Sequence, residues 1–309
     1  MHKFPIIRTT ALAVFLLAIV ACGEAGTPSS STVPTPTSQL TETPISEPTA
    51  TPVLEEAPKE TLLIKETLLI NDVSPANFLP ESDGFGFTNF GGNKADSRLT
   101  ATDLAVMFGP SGICQDLAEW KKQERCVGTT TALQFLRQLN RVLENGLCYG
   151  MSAMSSRFFL GTDAPTSFEK DAASPFQLEK EKSNIKHELA FWHAVQFTAE
   201  ARAKSKEYDM KYPSEVIREL TESLEEDKGI QYSLGMYSEH GGHAVTPYKV
   251  DETDDSMKVW FYDNNWPGEE RWMEIDKAAE VWSYGFASVN LEDADAAPWT
   301  GSEVGSLRL

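Results

Sequence analysis

Three residues that lie far apart in the sequence are of the types that together attack a carbonyl carbon. The first, Cys148, lies in the segment Asn-Gly-Leu-Cys-Tyr-Gly-Met, where a predicted loop meets the first turn of a predicted helix. Unsatisfied backbone N–H groups and the positive end of the helix dipole stabilise a thiolate at such a position. The alternative role for Cys148 is structural, since free cysteines are commonly small buried hydrophobic side chains.

The other two residues lie in the second half of the chain. His243 is at the start of a predicted strand in Ser-Glu-His-Gly-Gly-His-Ala-Val, and Asp263 ends the next strand in Phe-Tyr-Asp-Asn-Asn-Trp-Pro-Gly. A nucleophilic thiol needs a base, and the imidazole needs an acceptor that orients its other nitrogen. Cys148, His243 and Asp263 supply these three parts, and Asn264 is the rival to Asp263 for the third.

The elements that must position these residues are predicted from hydrophobic periodicity. Helices are expected over residues 129–144, from about residue 148 onward, over 183–204 and over 213–226, because apolar residues recur there at helical spacing. Alternating strands are expected over residues 230–237, 244–250, 258–263, 271–275 and 287–291. Helices followed by antiparallel strands indicate the α+β class.

The pattern around the three residues resembles the papain-like cysteine peptidase superfamily, in particular its bacterial branches. The shared motifs are C-x-G-M at a helix start, G-H-A-V in a strand and Y-D-x-N-x-P-G in a turn, and the resemblance covers about residues 129–275. It implies a helical left half packed on an antiparallel sheet or half-barrel right half, with the active site in the cleft between them. It also implies that Cys148 is the nucleophile, His243 the general base and acid, and Asp263 the orienting residue, with Asn264 as its rival.

One position departs from the family pattern. Papain-like enzymes usually carry a Gln about six residues before the nucleophile to bind the oxyanion, and Val142 stands here. Asn145 and Gln138 are the candidate substitutes, together with the backbone N–H of Cys148. The Cys motif also differs from the D-C-S-G pattern of cell-wall peptidases, which ranks protein or peptide substrates above peptidoglycan.

The expected function is therefore hydrolysis of amide or peptide bonds through an acyl-enzyme. Two alternatives stay open. The same triad transfers an acyl group to an amine in transglutaminase-like proteins, and a catalytically inactive scaffold of this kind would be a surface-tethered binding or adhesion module.

The N-terminus predicts export to the bacterial cell envelope. Residues 1–21 read as a signal peptide that combines a short basic stretch with an apolar run, and it ends in Ile-Val-Ala before Cys22. This end resembles a lipobox, which implies that Cys22 is lipidated and tethers the protein to the outer face of the cell membrane or to the outer membrane. The alternative is an ordinary secretory signal that is cleaved nearby. Residues 22–58, rich in Ser, Thr and Pro, predict a flexible linker.

The rest of the chain divides into an N-terminal part of the globular region over residues 59–128, a catalytic domain over 129–299 and a C-terminal tail over 300–309. With Cys22 set aside, three cysteines are left in an oxidising compartment. The simplest division pairs Cys114 with Cys126 and leaves Cys148 free, and the alternative is that all three are reduced and buried.

Composition and spacing exclude two further classes. Because 46 acidic residues outnumber 27 basic ones, for a net charge of −19, a nucleic-acid partner is not expected. No CxxC pair or Cys/His cluster is present in the sequence, so neither a metal site nor another cofactor is predicted. The oligomeric state is not predicted.

Overall fold

The computed structural model describes residues 71–73, 78–181, 184–225, 232–238, 241–285 and 298–309. The predicted signal peptide, the lipidation site Cys22, the linker over residues 22–58 and the strand predicted over residues 287–291 lie outside these ranges.

Eight helices are present in the described part of the chain, and the predicted ones over 129–144, from 148 and over 213–226 are confirmed. The helices are α1 (Pro80–Asp83), α2 (Ala101–Phe108), α3 (Leu117–Gln123), α4 (Thr130–Val142), α5 (Cys148–Phe159), α6 (Ile185–Val195), α7 (Ala199–Lys206) and α8 (Pro213–Glu225). The prediction of a single helix over residues 183–204 is wrong, because the helix is interrupted between α6 and α7. Thr198 accepts a hydrogen bond from the backbone N–H of Ala201 and so caps a new helix at this point.

The strands form one antiparallel sheet that curls into a half-barrel, and the α+β class is confirmed. They are β1 (Asn71–Val73), β2 (Leu234–Ser238), β3 (Gly241–Glu252), β4 (Ser256–Tyr262), β5 (Glu270–Asp276), β6 (Val281–Tyr284), β7 (Trp299–Gly301) and β8 (Leu307–Arg308). The order across the sheet is β7-β6-β5-β4-β3-β2-β8, and β1 pairs with β3. The predicted strands around 244–250, 258–263 and 271–275 are therefore confirmed as β3, β4 and β5. Residues 300–309, predicted as a tail, instead contribute to β7 and to the edge strand β8.

Two apolar cores flank the site. One lies between the sheet and α8, and the other joins α2, α4, α5 and α6. Helix α5 packs against both α6 and β3. Its approach to α6 depends on Gly150, because a Cβ at this position would lie 2.0 Å from the carbonyl oxygen of Leu189.

The disulfide predicted between Cys114 and Cys126 is confirmed, with a Cα–Cα distance of 5.1 Å. It encloses α3, and its cysteines are buried beside Ala101 and Ala105 of α2. None of the helices in the described ranges is long and apolar enough to span a membrane.

Candidate functional site

Cys148 is the first residue of α5, as the sequence predicts. The residue before it, Leu147, occupies the N-cap position without a side-chain cap, so the N–H groups of the first turn have no capping side chain. Cys148 is fully buried and packs in one small cluster with Ala244 of β3 and Tyr149. Because Ala244 follows His243 directly, this cluster brings the start of α5 to the strand that carries the imidazole.

His243 and Asp263 form a buried pair. Nε2 of His243 lies 2.7 Å from Oδ1 of Asp263. The two side chains meet because β3 and β4 are antiparallel neighbours, with Thr246 opposite Tyr262, and Asp263 follows β4 directly. A carboxylate at Nε2 fixes the tautomer and orientation of the ring, which leaves Nδ1 as the nitrogen for proton transfer.

Asp263 is held in its charged form by three neighbours. Burial opposes the charge, but His243, the Tyr284 hydroxyl and the backbone N–H of Asn265 hold the pKa of Asp263 below its usual value. The Tyr284 hydroxyl donates to Oδ2 at 2.6 Å, and the Asn265 N–H donates to Oδ1 at 2.8 Å. Burial and the adjacent carboxylate raise the pKa of Tyr284 well above its usual value, so its hydroxyl is a neutral donor.

Asn264 was the rival to Asp263 for orienting His243, but in the structure it holds two backbone segments together. Its side-chain Nδ2 donates to the carbonyl of Cys148 at 3.1 Å and to the carbonyl of Ala244 at 2.9 Å. The hydrogen bond to His243 is made by Asp263 and not by this rival. Asn264 therefore ties the first residue of α5 to β3, which fixes the spacing between the sulfur-bearing residue and the imidazole strand.

Asn89 is a site residue that sequence reasoning missed. Its Oδ1 accepts the backbone N–H of Leu147 at 2.8 Å, and its own N–H donates to the carbonyl of Asn264 at 2.8 Å. Because the side-chain oxygen of Asn89 accepts from Leu147, its side-chain NH₂ group is left to donate elsewhere. No described residue accepts a hydrogen bond from this NH₂ group. Asn89 lies in a Gly- and Phe-rich stretch without periodicity, and no local pattern indicated its role.

The residues predicted for oxyanion binding occupy other positions. Asn145 is exposed in a short 3-10 turn, Leu143–Asn145, and Gln138 is exposed on α4. Val142, at the position where the family usually has Gln, is buried at the end of α4. No hydrogen bond joins the side chain of Asn145 or Gln138 to any described residue.

The sulfur of Cys148 is in a disulfide. None of the three described cysteines is a free thiol. The prediction that Cys148 is left unpaired is therefore wrong for this oxidised form. The site can supply a nucleophilic thiol only once this disulfide is reduced.

A pocket of about 600 Å³ opens beside the site. Its lining includes Tyr149, His243 and Ala244, which are close to Cys148 in the fold, but not Cys148 itself, and α7, β2 and β8 supply most of the remaining lining. This pocket offers room for a substrate next to the imidazole.

The two histidines of α6 have separate environments. His187 lies 3.1 Å from Asp103 of α2, whose hydrogen bond raises the pKa of the imidazole. His193 is fully buried and meets Tyr149 edge to face, and its ring has a polar contact with the Leu147 backbone that falls outside hydrogen-bond geometry. Burial lowers the pKa of His193 to about 4. The described residues contain no group of three His, Cys, Asp or Glu side chains arranged to hold a metal ion.

Comparisons of the chain with protein-family models, with curated proteins and with solved structures found no match.

Proposed function

We propose that the reduced chain is a papain-like cysteine hydrolase that cleaves amide or peptide bonds through an acyl-enzyme. The observation that carries the proposal is the buried pair of His243 and Asp263, tied by Asn264 to the helix that begins at Cys148. A thiol at a helix start, an oriented imidazole and a carboxylate held in its charged form are the parts that thiol-based acyl chemistry requires.

The reaction begins with activation of the sulfur. A small thiol reductant cleaves the disulfide of Cys148 by thiol–disulfide exchange, and the Cys148 thiol then passes its proton to Nδ1 of His243. The thiolate attacks the carbonyl carbon of the substrate, the C–S bond forms and the carbonyl oxygen takes the negative charge. The backbone N–H groups at the start of α5 and the side-chain NH₂ of Asn89 are the donors proposed for this oxyanion.

Two proton transfers complete the turnover. The imidazolium of His243 donates its proton to the leaving amine as the C–N bond breaks, which leaves a thioester on Cys148. His243 then takes a proton from water, the hydroxide attacks the thioester and the C–S bond breaks. Asp263 keeps the imidazole in one orientation throughout and is not itself protonated.

We also propose that the chain acts in the bacterial cell envelope. In this proposal the segment over residues 1–21 directs export and residues 22–58 hold the catalytic domain away from the membrane. The lipid occupies the sulfur of Cys22, so in the lipidated form Cys22 cannot take part in a disulfide. Protein or peptide substrates reach the domain from the same side.

The test is turnover of a set of fluorogenic peptides by the purified full chain after mild reduction, with Cys148→Ala and His243→Ala as variants. The hydrolase predicts turnover that requires reductant and disappears in both variants while the thermal melting curve is retained. Intact-mass spectrometry should then show an acylated chain with a slowly hydrolysed ester substrate. A folded, reduced protein without turnover or adduct contradicts the proposal.

A second candidate is a binding or adhesion module on the same scaffold. The disulfide at Cys148 is the observation that favours it, because a sulfur in a disulfide cannot attack a carbonyl. The module predicts ligand binding that does not change on reduction or in Cys148→Ala.

An acyltransferase is separated from a hydrolase by the product, since an added primary amine would receive the acyl group in place of water.

A further inference from the structure

The pocket beside His243 is lined by positive charge, although the whole chain carries a net charge of −19. Its lining includes four basic side chains and a single acidic one, Asp209. The basic residues are Arg202, Lys204, Lys206 and Arg308. The sign of the charge is therefore locally reversed next to the imidazole.

The cations come from two elements that meet at this edge of the fold. Helix α7 supplies three of them, and β8 supplies Arg308. Lys206 is exposed, and its side chain has no partner among the described residues. Arg308 lies 2.9 Å from Asp209 and 5.2 Å from the ring centre of Tyr237, so it is held over the pocket wall.

The charge of Lys204 is partly offset. Its Nζ lies 2.9 Å from Glu207 and 3.0 Å from Glu219, and neither glutamate lines the pocket. Arg202 also makes a contact of its own. Arg308 is likewise paired with Asp209, so the excess of positive charge at the pocket depends mainly on Lys206.

The pocket lining also contains phenolic side chains. Tyr149 and Tyr237 both line the pocket, and neither hydroxyl is bonded to a described residue. Burial raises the pKa of both phenols, so they act as neutral hydrogen-bond donors. The Tyr237 ring packs closely on Gly235, because a Cβ there would lie 3.1 Å from the ring.

We propose that this pocket is a substrate subsite for an acidic peptide, and that it takes a Glu or Asp side chain close to the bond that reacts. This inference rests on the proposed hydrolase function, and it names its substrate class. The cations in the pocket lining, Lys206 above all, and two phenolic donors match a carboxylate, whereas a Lys or Arg side chain would meet charges of its own sign. Glu207 and Glu219 act on the pocket through Lys204, whereas exposed acidic residues more than about 10 Å away are largely screened by salt.

The test uses fluorogenic peptides that differ only by Glu, Gln or Lys at each position flanking the scissile bond. With the reduced full chain, kcat/KM should fall in the order Glu, Gln, Lys at one position, with about a tenfold difference between Glu and Lys. The preference should shrink in high salt. Lys206→Glu should reduce or reverse it, whereas Lys122→Glu, an exposed residue of α3 outside the pocket lining, should leave it unchanged.

A binding measurement separates this inference from the proposed reaction. Fluorescence polarisation of the same labelled peptides on Cys148→Ala measures the subsite without turnover. Tighter binding of the Glu peptide with no turnover in the wild type would support the subsite and overturn the hydrolase. Turnover without preference for Glu, or binding that ignores the peptide charge and Lys206→Glu, would overturn the subsite.

Discussion

The buried imidazole of His193 should make the protein sensitive to acid in a way that one substitution removes. In the folded chain its pKa is lowered to about 4 by burial, against 6.5 for an exposed imidazole. The folded state therefore binds a proton less readily than the unfolded state between these two values. The contribution of His193 to the free energy of unfolding is fully present above pH 6.5 and is lost as the pH falls towards 4. Below pH 4 this residue causes no further loss.

The size of the loss follows from the two pKa values. Each unit of difference in pKa is worth about 1.4 kcal/mol, so the full effect on the free energy of unfolding is about 3 kcal/mol. About 2.5 kcal/mol of it is lost by pH 4.5. His193→Leu keeps a side chain of similar volume and cannot be protonated. The imidazole has a polar contact with the Leu147 backbone that falls outside hydrogen-bond geometry, so its loss in His193→Leu should cost little at neutral pH.

The assay is urea unfolding at pH 7.5 and pH 4.5, without reductant so that the disulfides stay intact. The stability of His193→Leu relative to wild type should rise by about 2.5 kcal/mol on going from pH 7.5 to 4.5. His187→Gln is the matched control on the same helix and should behave in the opposite sense. Its wild-type imidazole has a raised pKa beside Asp103, so that contribution is lost as the pH rises. An equal pH dependence in wild type and His193→Leu would refute the reasoning.

Three further outcomes follow from the contacts at the site. Asp263→Asn should lower kcat at least about 100-fold at every pH with the fold retained, because it removes the charged acceptor at Nε2 of His243, and steady-state kinetics check this. Asn89→Ala should lower kcat about 100-fold with little change in KM, because it removes the proposed oxyanion donor. The control Asn145→Ala should leave kcat and KM near wild type. Equal effects of the two variants would exclude Asn89 as the oxyanion donor. Gly150→Ala should lower the melting temperature strongly or prevent folding, since the added Cβ would lie 2.0 Å from a carbonyl oxygen of α6; a melting temperature equal to wild type would contradict this close approach.

Local patterns predicted the parts of the fold whose determinants are close in sequence. Thr129 caps α4, the buried methionines of α5 recur at helical spacing, and the alternation of β4 and β5 places their apolar residues in the sheet core. Cys148, His243 and Asp263 could be selected because each lies at the end of such an element.

The remaining parts depend on contacts between distant segments. The amide of Asn89 meets Leu147 across 58 residues, and the hydroxyl of Tyr284 reaches Asp263 only because β4, β5 and β6 are adjacent in the sheet. No periodicity marks either residue. The break at Thr198 was missed because no Gly or Pro marks it between residues 183 and 204. The state of Cys148 was missed because cysteine pairing is not determined by sequence spacing.

The most direct measurement is the pH dependence of Cys148 alkylation by iodoacetamide after mild reduction, followed by peptide-mapping mass spectrometry in wild type and His243→Ala. The midpoint of the profile is decisive rather than the absolute rate, because Cys148 is buried. We expect alkylation of wild type to persist well below the value of about 8.5 for an ordinary thiol, and the midpoint to return towards that value in His243→Ala. A wild-type profile with an ordinary thiol midpoint that His243→Ala leaves unchanged would contradict a Cys148–His243 catalytic pair.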